Sequence, residues 1–104
     1  MDRRQALLNL LKDSPDDAFL LFALAKQCES EHQIQEALEL YEKLSKHHPD
    51  YIGLYYHYGK LLGALERTPE AEGIFREGIE RATAQGDFHA TAELRGALEE
   101  LDCS

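Results

Sequence analysis

Tryptophan is absent from this chain, and proline occurs three times, glycine seven times and cysteine twice in 104 residues. So few turn-forming residues leave little room for loops. The two cysteines, Cys28 and Cys103, lie too far apart for a disulfide framework and at no metal-ligand spacing. They read as one thiol inside an apolar helical pattern and one in the tail of a chain kept in a reducing compartment. No apolar run is long enough to span a membrane. The leucines after Arg3-Arg4 are interrupted by Asn9 and lack a small-residue cleavage site, so this start reads as an amphipathic helix and not as a leader peptide. Alternating apolar runs and Asn-Gly or Asp-Gly turns are missing too, which excludes a sheet. The chain is therefore expected to be all-α, and cytoplasmic.

Positive charge is also scarce. Eleven lysines and arginines face twenty carboxylates, a formal net charge of −9. Ten of the carboxylates precede Gly53 and ten follow Ile52, so the acidity is spread and not gathered in a tail. Such a chain repels phosphate backbones, and neither nucleic acid nor an anionic membrane is expected as a partner.

Catalytic patterns are missing as well. There is no Ser-His-Asp pattern, no phosphate-cradling glycine loop and no zinc-protease motif. His47-His48 lacks a further His or Cys one helical turn away, and adjacent helix positions point about 100° apart. No enzyme activity, metal or cofactor is expected.

What the chain does have is helical periodicity and a period of 34 residues. Six helices are predicted, over residues 2–13, 17–30, 34–47, 51–65, 68–84 and 88–101. Asp2 caps the first with Gln5 three residues on, Asp16 and Asp17 favour the start of the second, and Thr68 is the expected N-cap of the fifth, with Pro69 in its first turn. Gln85-Gly86-Asp87 ends the fifth helix and caps the sixth. Pro15-Asp16 recurs as Pro49-Asp50, Ala25 as Gly59, Ala37 as Ala71 and Tyr41 as Phe75. The small residues let two helices approach closely, and the aromatics fill the gap to the next hairpin. An internal period of this length marks stacked helical hairpins.

Leu21-x2-Leu24-Ala25-x2-Cys28, then Ala37-x3-Tyr41 and Pro49, followed in register by Tyr55-x2-Tyr58-Gly59-x2-Leu62 and Ala71-x3-Phe75, resemble the tetratricopeptide repeat family. The resemblance implies a right-handed α-solenoid of antiparallel helix pairs. It places a half-repeat helix at 1–16, full repeats at 18–51 and 52–85, and a capping helix at 86–104. The last helix departs from the pattern, since Glu93 stands where a small residue is expected and His89 where a large apolar one is. Thr83 stands where proline would close the second repeat. Gly78 is expected to allow close approach of the last helix; Gly73 has no assigned role.

The family binds peptides in a concave groove lined by the first helix of each hairpin. Carried over residue by residue, this gives Phe19, Phe22, Lys26, Tyr56, His57 and Lys60 as groove residues. Phe22 and Tyr56 are 34 apart, as are Lys26 and Lys60, an aromatic row beside a basic one. The other reading of these residues is that the aromatics pack between hairpins and the lysines pair with helix glutamates. Tyr55 and Tyr58 are assigned to the core, Tyr51 and Tyr56 to the surface. The carboxylate clamp of some family members is not supported, because Phe22 and Lys26 stand at the positions of its first Lys and Asn, and His57 replaces its second Asn. The expected function is a protein–protein interaction module for a protein or peptide partner. The alternative is a self-assembly unit, a homodimer formed through Leu8 and Leu11 or through Leu98 and Leu101.

Overall fold

The computed structural model describes residues 2–103 and is built of six α-helices, with no strand among those residues. The helices are α1 (Arg3–Asp13), α2 (Ala18–Ser30), α3 (Ile34–His47), α4 (Gly53–Ala64), α5 (Thr68–Ala84) and α6 (Phe88–Cys103). They fall into two compact units, one ending at Tyr51 and the other beginning at Ile52.

Side-chain caps start three of the helices. Asp2 accepts from the Gln5 N–H at 2.7 Å, Asp17 from Leu20 N–H at 2.9 Å and Asp87 from Ala90 N–H at 3.0 Å. Each satisfies a backbone donor that the first turn would leave unpaired, a contribution of about 1 kcal/mol. Two expected starts need correction. Thr68 is not the N-cap of α5. Arg67 holds that place without a side-chain cap, Thr68 is already helical, and the Arg67 guanidinium instead grips Glu70 through Nε (2.9 Å) and Nη2 (2.7 Å). The fourth helix begins at Gly53 and not at Tyr51, because Tyr51, 34 residues after Asp17, carries no oxygen that can cap.

Two kinds of turn alternate. Before α2 and α4 the chain makes a proline turn, with Asp17 N–H donating to Ser14 O (3.2 Å) and Tyr51 N–H to His48 O (3.0 Å). Between α2 and α3, between α4 and α5, and again between α5 and α6, the helix ends in a Schellman motif. Its long bond runs from Gln33 N–H to Cys28 O, from Arg67 N–H to Leu62 O and from Asp87 N–H to Ala82 O, at 2.8–2.9 Å. The residue before each donor is left-handed: His32 (φ 60°), Glu66 (φ 61°) and Gly86 (φ 72°).

The last turn explains why α6 departs from the repeat. With Thr83 in place of proline nothing stops α5, which runs for 17 residues where α3 runs for 14. Gly86 then supplies the αL stop, and α6 enters with a shifted register, burying Thr91, Leu94 and Ala97.

In the first unit Leu21, Leu24, Ala25, Cys28, Ala37, Tyr41 and Leu44 are buried, with Leu7 reaching in from α1. Arg4 anchors α1 to the hairpin through Glu31 (3.0 Å), Cys28 Sγ (3.3 Å) and Glu36. In the second unit Leu54, Tyr55, Leu62, Ala71, Phe75, Ala82 and Leu94 are buried. Each large apolar side chain contributes about 1.5–3 kcal/mol by leaving water. Close approach is paid for in side chains: a Cβ on Gly78 would stand 2.5 Å from Tyr55 Cβ and 3.0 Å from Leu94 Cδ1, so this position seats α4 first and α6 second. Nothing lies within 4 Å of a Cβ on Gly73, and the structure gives no reason for glycine there.

Candidate functional site

Phe19, Phe22 and Lys26 lie on α2 of the first unit; Tyr56, His57 and Lys60 lie on α4 of the second. Phe19 is exposed. Phe22 is half-buried and belongs to an aromatic group, its ring centroid 5.4 Å from that of Tyr51 and 6.5 Å from that of Tyr41. Tyr41 is fully buried and its hydroxyl donates to Glu29. Burial and that carboxylate hold the phenol far above its ordinary range. Glu29 also lies 3.8 Å from Lys26 Nζ. So Phe22 and Lys26 both touch a network that fixes α2 on α3. Tyr51 is half-buried, and its phenol is pushed up by burial and then by Asp17.

The three α4 residues form a cluster. The Tyr56 and His57 rings meet edge to face with centroids 5.3 Å apart, and Lys60 Nζ stands 6.0 Å from the Tyr56 centroid, at the outer reach of a cation–π contact. Lys60 Nζ also lies 3.6 Å from Glu100 Oε2 of α6. Tyr55, on the other side of the helix, is fully buried, whereas Tyr58 is half-buried.

Beneath the Lys60–Glu100 pair is a cavity of about 310 Å³ between α4 and α6. Phe75 of α5 floors it, Gly59, Gly63 and Ala64 form one wall, and Ala97 and Leu101 form the other. Small residues one turn apart leave the space open, and the ring gives it an apolar base. Its size is at the small end of ligand pockets, which run from about 300 to about 1,000 Å³. The cleft can take one apolar side chain and offers an ammonium and a carboxylate at its mouth. Glu100, Ala97 and Leu101 were not legible as site residues. The departure of α6 from the repeat register is expected from Glu93 and His89, but no spacing in the sequence sets these three residues against α4.

The His47-His48 pair is engaged elsewhere. His47 Nδ1 lies 2.8 Å from Asp16 Oδ1, and His48 Nε2 donates to the Asp16 carbonyl oxygen at 2.6 Å. His47, His48 and Lys43 hold the Asp16 carboxyl below its ordinary range, the bond from His47 contributing most. Among the described residues no three His, Cys, Asp or Glu side chains are grouped to hold a metal ion, and no helix is long and apolar enough to cross a membrane.

The tetratricopeptide repeat profile matches residues 30–94. A tetratricopeptide repeat domain protein from Salinibacter ruber is 37% identical, with a TM-score of 0.79 over 83% of this chain and 96% of that one. A protein from Bordetella parapertussis superposes with a TM-score of 0.83 at 24% identity, over 98% and 89% of the two chains. PcrH, in complex with the chaperone binding region of PopD, gives 0.85 at 19% identity, over 96% and 76%. No curated protein matches the chain.

Proposed function

The chain belongs to the tetratricopeptide repeat family, and from that premise we propose that it binds a short peptide of a partner protein on the face of α4 that carries Tyr56, His57 and Lys60, at the cleft between α4 and α6. Repeats of this family are in general protein–protein interaction modules, and they are in general not enzymes. The observation that carries the proposal is the cleft between α4 and α6. It is lined by Phe75, Gly59 and Gly63 and by the exposed Lys60–Glu100 pair. A surface pair of this kind contributes about 0–1 kcal/mol, so a ligand carboxylate can displace Glu100 from Lys60 at little cost. Tyr56 and His57 beside it supply rigid aromatic area of the type that dominates interface energetics. On α2, Phe22 and Lys26 hold the equivalent positions of the first repeat, with Phe19 one turn earlier.

PcrH, on the same fold, is seen in complex with the chaperone binding region of PopD; at 19% identity the likeness reports the fold alone and names no partner for this chain. A second reading, self-association through Leu8 and Leu11, draws support from α1, where Leu8 is exposed and Leu11 half-buried one turn on.

Selection of a random displayed peptide library on the native chain tests the proposal. Recovered peptides are expected to share an apolar residue near an acidic one, and to be lost on a folded Tyr56→Ala, Lys60→Glu variant. Peptides retained equally by that variant would move the site off this face. A concentration-dependent mass by sedimentation, with no peptide recovered, would favour self-association.

A further inference from the structure

Cations are few in this chain, and the structure uses most of them internally. Arg4, Lys26, Lys46, Lys60, Arg67 and Arg81 each lie within 4.0 Å of a glutamate carboxylate. Arg3, Lys12, Lys43, Arg76 of α5 and Arg95 of α6 do not, and the last two stand together. Both are exposed, and neither has an ion-pair partner among the described residues. They line the same groove, about 420 Å³ between α5 and α6, with Ile79 and Leu98 half-buried in it. Glu80, one turn on from Arg76, lines the groove as well but pairs with neither arginine.

This groove is separate from the cleft described above. At 100° per residue Arg95 and Leu98 lie on one flank of α6, and Ala97 and Glu100 on the other. In a chain of net charge −9, two unpaired guanidinium groups beside an apolar floor are a local inversion of sign. Guanidinium is weakly hydrated and forks onto carboxylates, which suits it to an interface. A groove between two packed helices has the shape that takes a third helix through residues at i, i+3 and i+4.

We propose that the α5–α6 groove docks an acidic amphipathic helix of a partner protein, with apolar side chains on Ile79 and Leu98 and carboxylates against Arg76 and Arg95. A second copy of this chain is the poorer occupant. Two-fold pairing through this groove would bring four arginines together against two Glu80 carboxylates.

The test is a titration of the isotope-labelled full chain with two synthetic helical peptides. Both carry leucines at i, i+3 and i+7, flanked by glutamates in one and by lysines in the other. Saturable binding of the acidic peptide, with amide shifts centred on Arg76, Ile79, Arg95 and Leu98, is the expected result. Arg76→Glu with Arg95→Glu should weaken it at least tenfold and reverse the preference to the lysine peptide, and Arg76→Gln with Arg95→Gln should weaken it without reversal. Amide spectra of each variant establish that it is folded. Absence of saturable binding, equal affinity for native and variant chains, or shifts confined to Tyr56–Lys60 would overturn the proposal. So would a native dimer by sedimentation that the arginine variants dissolve, since the occupant would then be a second copy.

Discussion

A Cβ built on Gly59 would stand 2.4 Å from Cε1 of Phe75, with two further ring atoms within 2.7 Å. The backbone of α4 therefore rests directly on the aromatic ring that also floors the α4–α6 cleft. The ring is 1% exposed, so a methyl group on Gly59 forces a buried aromatic side chain to shift. Replacing Gly59 by Ala gains about 1 kcal/mol of helix propensity but forces overpacking that costs about 1–3 kcal/mol. A net loss of stability is expected, seen as a lower urea midpoint. Gly73→Ala, where nothing lies within 4 Å, should raise the midpoint by the propensity gain alone. Two glycine-to-alanine changes of opposite sign are hard to obtain any other way; a gain at Gly59 would refute the close contact.

His32 and Glu66 hold the left-handed position of turns in which Gly86 does the same work. A side chain there strains against the backbone. His32→Gly and Glu66→Gly should each stabilise the chain by about 0.5–1 kcal/mol, and Gly86→Ala should destabilise it by about 1 kcal/mol. Thermal unfolding of the three variants checks this. A loss at both His32 and Glu66 would show that their side chains contribute more than the backbone strain costs.

Asp16 should make stability depend on acid. Its carboxyl is held below the ordinary range by His47, His48 and Lys43, so the native state binds its proton more weakly than the unfolded chain does. The stabilisation is complete above the unfolded carboxylate value of about 4 and is lost as pH falls through the lower native value. Urea midpoints of native and Asp16→Asn chains should thus differ above pH ~5 and converge as pH falls toward ~2. A gap that widens as pH falls from ~5 toward ~2 would contradict the Asp16–His47 contact.

The two thiols should react at different rates. Cys28 is fully buried; burial pushes its thiol up, against the opposing pull of Arg4. Cys103 is exposed. A disulfide reagent at mild alkaline pH should label one thiol per native chain and two in denaturant, because the thiolate is the reacting species. Two labelled thiols in the native state would mean that α1 and Arg4 do not cover Cys28.

Much of the fold was legible because cause and effect are close in sequence. The limits of α3 follow from periodicity and Pro49, and the caps at Asp2 and Asp17 follow from one side chain and a donor three residues on. The αL residues were not legible, since His32 and Glu66 give no glycine signal and adopt φ near 60° only because the Schellman bonds demand it. Thr68 carried the residue type of a cap, but the chain enters α5 one residue earlier, where Arg67 and Glu70 close on each other. At the candidate site, Tyr56 and Lys60 are expected from their 34-residue spacing to Phe22 and Lys26. Glu100 is not, because its meeting with Lys60 depends on the extra turn of α5 and the shifted register of α6.

The central claim is that the face of α4, with the α4–α6 cleft, binds a peptide. Ala64 is exposed and lines that cleft, so Ala64→Phe fills it without entering the core. The most direct measurement is calorimetric titration of a library-selected peptide into the native and Ala64→Phe chains, at matched fold and salt. The account predicts at least a tenfold loss of affinity on Ala64→Phe. An unchanged affinity would show that the cleft is not where the peptide binds.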